Sequence, residues 1–374
     1  MKPARISSLT GLRALAMLTV FFSHLDYLGE TPFRGLYSLI SNGRFGVNFF
    51  LVLSGFVIAL GYSNKLNINN RSKDVSFIKK RISKVYTPYL ITLLLAIPLY
   101  IIKTVYGEGL NVKLLINRLI INAAMIQSII PFDKYSTSIN GVSWFISTIF
   151  IIYLLTPDII RLNNKAAKNF TLLKQVFLVF VVLFFNCCVY MVIRQIEYVR
   201  FANRGLSIIY ISPLIRIFPF LLGIVAYNIY YLQGDFRIKN SSFIEILGIA
   251  LFFLWWAIAD KTGCPTVITE CTDMLVSMLV ILIFVFSNRG IVSRLLSKKK
   301  MLYLGNISLD FYLVHYLVIR YGMIAAKYFG LDQGIAVLLL TILYFVISLY
   351  GAYMLHNFTE WFLLSLRKKE QAFK

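Results

Sequence analysis

The chain reads as an all-α, polytopic membrane protein of about ten transmembrane helices with both termini cytoplasmic. Three observations carry that reading. Of its 374 residues, 59% are hydrophobic and only 14% charged, with a mean hydropathy of +0.74. Soluble domains do not have this balance, whereas proteins whose outer surface meets lipid do. Apolar runs near ~20 residues, the length that crosses a bilayer core, recur along the chain. They lie near 10–28, 43–62, 84–103, 141–157, 172–193, 206–231, 243–260, 268–287, 304–326 and 334–357. Finally, basic residues gather in alternate loops, as cytoplasmic connections require.

The net charge of +22 at first invites a nucleic-acid partner. The cations sit between apolar runs, and no basic face or reading motif is present, so no nucleic-acid partner is expected. Loop 63–83 carries Lys65, Arg71, Lys73, Lys79, Lys80 and Arg81. Loop 158–171 carries Arg161, Lys165 and Lys168, loop 288–303 carries Arg289, Arg294 and Lys298 to Lys300, and the tail carries Arg367 to Lys369. With Lys2 and Arg5 also basic, these stretches fall on one side of ten spans. Loop 194–205, with Arg194, Arg200 and Arg204, is the exception. No soluble domain, linker or strong repeat interrupts the pattern, so residues 1–374 are expected to form a single membrane domain with no soluble C-terminal domain.

The first run is too long and too polar at its ends for a cleaved signal peptide, and it has no small-residue cleavage site. It carries Arg13 and His24, eleven positions apart. At ~100° per residue their side chains face the same way, roughly 16 Å apart along the axis. Polar groups of this cost inside a bilayer mark working sites. The second run opens with Arg44, and Gly43, Gly46 and Gly55 permit close helix approach. Arg44 fits either snorkelling at the interface or an inward-facing guanidinium.

The third run is entered through FIKKRISKVYTPYL. Lys79, Lys80, Arg81 and Lys84 beside Tyr86, Pro88 and Tyr89 fit membrane anchoring, and equally a cytoplasmic pocket for a phosphorylated cofactor. Within segment 104–140, the stretch NVKLLINRLIINAAMIQSII has helical spacing and reads as an interfacial amphipathic helix. Cys187 and Cys188 lie inside the fifth run as packing residues. Arg216 lies deep in the sixth, too deep to snorkel. Several inward Arg side chains point to a polyanionic ligand, because the guanidinium fork suits phosphate. Intramembrane acids are few, which argues against a carboxylate-relay pump. Cys264 and Cys271 flank the outer end of the eighth run and are candidates for pairing if that side is oxidising.

The chain has three histidines, the usual proton-transfer groups near neutral pH. His24 falls in the outer half of the first run, His315 near the middle of the ninth, and His356 near the cytoplasmic end of the tenth. Ser308, Tyr312 and His315 are spaced i, i+4, i+7 and share one face, with Asp310 on another. That stripe fits a polar lining or a satisfied core network. His356 reads as a helix–helix hydrogen bond. No spacing suits a metal, and none is expected.

At this point the pattern resembles acyltransferase family 3, integral-membrane O-acyltransferases of bacterial surface glycans and other extracytoplasmic acceptors. Arg13 and His24 match its Arg, ten residues, His pattern. Gly46, Val47, Phe49, Phe50, Ser54, Gly55 and Phe56 match its second-span run. Arg81-Ile82 with Pro88-Tyr89 is similar to its third-span entry. Trp144 and Tyr153 fit its Trp-to-Tyr spacing, and Arg216, Phe220, Gly223 and Tyr227 fit a later pattern. Leu304, Gly305, Ser308, Tyr312, Leu313 and His315 resemble its Leu-Gly, Ser, Tyr-Leu, His signature. Glu360 with Arg367 and Lys368 resembles its closing motif.

The chain departs from the family at Asn48, where many members have an acid, at Ile149 in place of Glu, and at Phe362 in place of Pro.

The resemblance implies transfer of an acyl group, most often acetyl, from cytoplasmic acetyl-CoA to a hydroxyl outside or on a lipid-linked glycan in the bacterial inner membrane. It places His24, Arg13 and His315 in the catalytic role. Substrate or acyl-CoA binding would fall to Arg44, Arg81, Lys84, Trp144, Arg216, Ser308, Tyr312 and Glu360. His24 would act as base or as acyl carrier. Two other classes remain open. One is a flippase for a lipid-linked sugar, although no related halves are visible. The other is an idle scaffold, which leaves the costly interior charges unexplained.

Overall fold

The computed structural model describes residues 6–66, 70–105, 109, 111–130, 132–167, 169–201, 208–234 and 236–372. Lys2, Arg5, Lys168 and Arg204 lie outside the described residues, as do the side chains of Arg200, Arg367, Lys368 and Lys369. Among the described residues nine helices are long and apolar enough to cross a membrane, joined by the shorter apolar helix Ser7–Ser23, and no strand occurs. They match the ten apolar runs one for one. In order the spans are Ser7–Ser23, Gly43–Tyr62, Arg71–Val105, Trp144–Ala167, Leu172–Phe201, Pro213–Gln233, Ser241–Ile258, Thr266–Ser287, Ser308–Tyr328 and Ala336–Ala372.

Local chemistry sets several of the ends. Asn42 accepts from the Phe45 N–H to start the second span, and Ser212 accepts from the Leu214 N–H with Pro213 in the first turn of the sixth. Two ends differ from the hydropathy reading. The third span begins at Arg71, so the cluster expected in a loop is helical. The tenth runs on to Ala372, so Glu360 is helical too. Lys, Arg and Glu are good helix formers, so a helix outruns its apolar stretch into water without penalty.

The second span is the centre of the bundle. A Cβ on Gly55 would overlap the Phe220 carbonyl and one on Gly223 would overlap that of Val52, so the second and sixth spans touch backbone to backbone. Gly46 and Gly43 leave room for the side chains of Thr19 and Ser23 of the first span. The fifth, seventh and tenth spans expose long apolar rows, such as Phe177, Phe180 and Phe184, and Leu339, Ile342 and Val346, as a lipid-facing surface would.

Segment 104–140 contains the helix Val112–Ala123, capped by Asn111. Leu115 and Leu119 pack on the core, while Val112, Ile116 and Ile120 form an exposed apolar stripe at i, i+4, i+8, as an interfacial helix should. Beyond this helix, Gln127, Ser128, Ser136 and Asn140 are buried polar residues. Tyr89 donates to the Asn122 carbonyl at 2.7 Å, and Gln127 donates to Tyr89 at 3.0 Å. Ser128 and Ser147 hydroxyls meet at 2.7 Å.

All four cysteines are free thiols. Cys264 and Cys271, candidates for pairing in the sequence, are not joined in this fold. Cys264 is exposed, and Cys271 Sγ lies 3.4 Å from Cys187 Sγ on the fifth span. Helix packing aims Cys271 into the bundle, away from Cys264.

Candidate active site

A cavity of about 460 Å³ opens between the first, second, third, fourth, ninth and tenth spans. It lies at the end of the bundle that carries the basic loops. Arg81 and Lys84 enter it from the third span and Arg13 from the first. Ser308, Asp310 and Tyr312 come from the ninth, and His356 and Glu360 from the tenth. Asp310 therefore reaches the same space as Ser308 and Tyr312, against the separate face expected from helical spacing. The tenth span packs beside the ninth and closes the cavity around both faces.

Arg81 has the environment of an anion site. Its guanidinium carbon stands 5.1 Å from the Tyr62 ring centre, 5.7 Å from Phe77 and 5.9 Å from Tyr153. Three aromatic faces fix its plane without using its donors, and its buried Nε has no hydrogen-bond partner. An unspent buried donor is costly unless a ligand completes it.

The deep end of the cavity is Tyr312, whose hydroxyl donates to the Val142 carbonyl at 2.8 Å. One turn beyond it lies His315, fully buried, with its Nε2 3.3 Å from His24 Nδ1. The two rings meet edge to face with centroids 5.0 Å apart. Carbonyl partners fix their tautomers. His315 Nδ1 faces the Phe311 oxygen at 3.1 Å, and His24 Nδ1 faces the Val20 oxygen at 2.8 Å. A carbonyl only accepts, so each Nδ1 carries the hydrogen. In the neutral ring, His24 Nε2 then carries the lone pair. His24 is half-buried at the end of its helix, beside Tyr316 at 5.4 Å. Arg320 lies over Tyr316 at 4.9 Å and pairs with Asp26 at 3.0 Å.

These two places stand at opposite ends of the Arg13–His24 stripe, joined through Tyr312. The chain matches acyltransferase family 3, described as an acyltransferase domain, over residues 6–357. The chain belongs to this family. It is also similar to the protein named acyltransferase MdmB of Streptomyces mycarofaciens, 26% identical over 327 residues, covering 85% of this chain and 80% of that one. No solved structure matches it. The protein is thus a multi-pass membrane acyltransferase.

Within this acyltransferase, Arg13, Arg81, Lys84, Ser308, Tyr312 and Glu360 share the cavity, and His24 and His315 form the pair beyond it. Arg44, Trp144 and Arg216 are elsewhere. Arg216 is 1% exposed and spends its donors on Glu270 at 2.8 Å, on the Asn48 side-chain oxygen at 2.8 Å and on the Tyr210 carbonyl at 2.6 Å. Arg44 pairs with Asp273 at 2.8 Å, and Trp255 donates to the same carboxylate at 2.8 Å. Trp144 packs against Tyr210 with the rings tilted and their centres 5.0 Å apart.

Glu270 and Asp273 went unremarked in the sequence. Their spacing, i and i+3 inside an apolar run, was the available signal. Asn48 also gains a reason. It accepts from Arg216 and donates to Asp273 at 3.4 Å, whereas an acid there would set a second carboxylate against Asp273.

Proposed function

We propose that the protein is an O-acetyltransferase of the bacterial inner membrane. Its donor would be acetyl-CoA from the cytoplasm, and its acceptor a hydroxyl of a surface polysaccharide such as an O-antigen or exopolysaccharide, free or lipid-linked. The observation that carries the reading is the cavity at the basic end, separated by Tyr312 from a histidine pair whose free nitrogen belongs to His24. Arg81 and Lys84 hold the anionic end of the donor, as the unspent guanidinium over its aromatic cradle favours. Arg13 polarises the thioester carbonyl. His24 Nε2 accepts the acceptor's proton as the new ester bond forms. The Val20 carbonyl holds the His24 Nδ1–H, and His315, its ring edge to face with that of His24, positions the imidazole. No metal enters the scheme.

Mass spectrometry of the envelope glycan, before and after mild base, tests it in cells with and without the protein. A base-labile gain of one acetyl mass that disappears with His24→Ala is the expected result. Movement of a lipid-linked sugar with no covalent change would favour the flippase reading.

A further inference from the structure

The cavity contains a histidine that this scheme leaves unused. His356 stands one turn before Glu360 on the tenth span, and its Nδ1 lies 2.9 Å from Asp310 Oδ2 on the ninth. An ionised carboxylate only accepts, so Nδ1 carries the hydrogen and Nε2 is the free nitrogen. The side chain of Asp310 is 7% exposed and that of His356 is 26% exposed. The carboxylate is sealed, and the imidazole is open. An imidazole held in one tautomer by a buried carboxylate, with its other nitrogen over a cavity, is built to pass protons.

Depth gives it a partner. The cations Arg81 and Lys84 lie toward the water. Asp310 is in the first turn of the ninth span and Tyr312 in the second, with Phe50, Phe145 and Ile149 around the deep end. A donor whose phosphates meet Arg81 and whose acyl group points at Tyr312 sets its sulfur beside the dyad.

We propose that His356, oriented by Asp310, is the proton donor to the sulfur of the acyl donor. The inference rests on the thioester donor proposed above. The acceptor oxygen bonds to the acyl carbon, the carbon–sulfur bond breaks, and its electron pair stays on sulfur. The Nε2–H of the His356 imidazolium moves to that sulfur and gives a free thiol. The acceptor's own proton goes to His24. His356 then regains a proton from water at the basic end, and His24 releases one at the other end. His356 is a catalytic residue in this scheme, and Asp310 is its positioning residue.

The test is acetyl transfer from labelled acetyl-CoA in membranes, with carbethoxylation of the full-length protein by diethyl pyrocarbonate as an independent readout. His356→Ala should lower kcat about 100-fold with little change in KM, the scale of one general acid. Added imidazole should restore part of the rate by entering the cavity, and an aryl thioester, whose acidic thiol leaves unprotonated, should lose less. Asp310→Asn should slow both transfer and labelling at His356, because a neutral amide neither fixes the hydrogen on Nδ1 nor raises the basicity of Nε2 as a carboxylate does. Unchanged kcat in His356→Ala would overturn the proposal, as would a loss that neither imidazole nor the aryl donor relieves, which is the mark of a helix–helix lock. If the unsubstituted protein transfers nothing from acetyl-CoA, the donor reading fails by itself. Labelling at His356 that falls in Asp310→Asn then supports the dyad, and an unreactive His356 overturns it.

Discussion

Two arginine-centred regions lie inside this bundle, and they are built on opposite principles. Around Arg216 and Arg44, the donors described above end on acceptors of the chain: Glu270, Asp273, Asn48 and a carbonyl. Around Arg81, aromatic rings hold the guanidinium in place and leave its buried Nε unspent. Both cost free energy in a membrane. The first recovers it by folding, and in the function proposed above the second recovers it by binding the donor. An intramembrane arginine therefore does not by itself announce a ligand; whether its donors are already satisfied does.

Breaking the closed region should have the largest effect. Glu270→Ala strands Arg216 and should cost about 3–5 kcal/mol of stability, read as loss of folded protein in a detergent melt. The double change Arg216→Met with Glu270→Leu should be milder than Glu270→Ala, because no charge is left unpaired. A double variant that melts no higher would mean the network does more than satisfy itself.

The open region should respond in activity rather than stability. His24→Ala should lower transfer by about 10²–10⁴-fold, the range of a lost general base, with the melt unchanged. Arg81→Lys keeps the charge but loses the flat fork and its stacking. It should raise the donor KM about tenfold, the worth of ~1.4 kcal/mol, and leave kcat alone. A KM unchanged by Arg81→Lys would remove the anion site from the comparison.

The smallest effect is expected at the rim of the basic end. Arg161 bridges Asp74 at 2.8 Å and Asp158 at 2.6 Å. Arg161→Ala should cost roughly 0.5 kcal/mol in the same melt, and less at high salt, since Asp158 is largely exposed.

Legibility in the sequence followed distance along the chain. Arg13 and His24 were legible because both are on one helix, where 3.6-residue periodicity fixes direction. Asn48 was seen as a departure, but its use as a bridge between Arg216 and Asp273 was not. His356 read as a helix–helix hydrogen bond, and that bond exists. What was missing was that its partner is a cavity carboxylate.

The sequence by itself determined the ten spans, their alternation, the glycine contacts and the two ends of the Arg13–His24 stripe. All of these follow from local hydropathy, helical period and side-chain size. Tertiary structure alone decided that His315 meets His24 across 291 positions, that Asp310 faces His356, that Glu270 and Asp273 neutralise two arginines, and that Cys271 turns to Cys187. Those outcomes depend on which helices become neighbours and at what rotation. In a bundle of apolar helices that is settled by the sum of many small packing and hydrogen-bond terms rather than by any one segment.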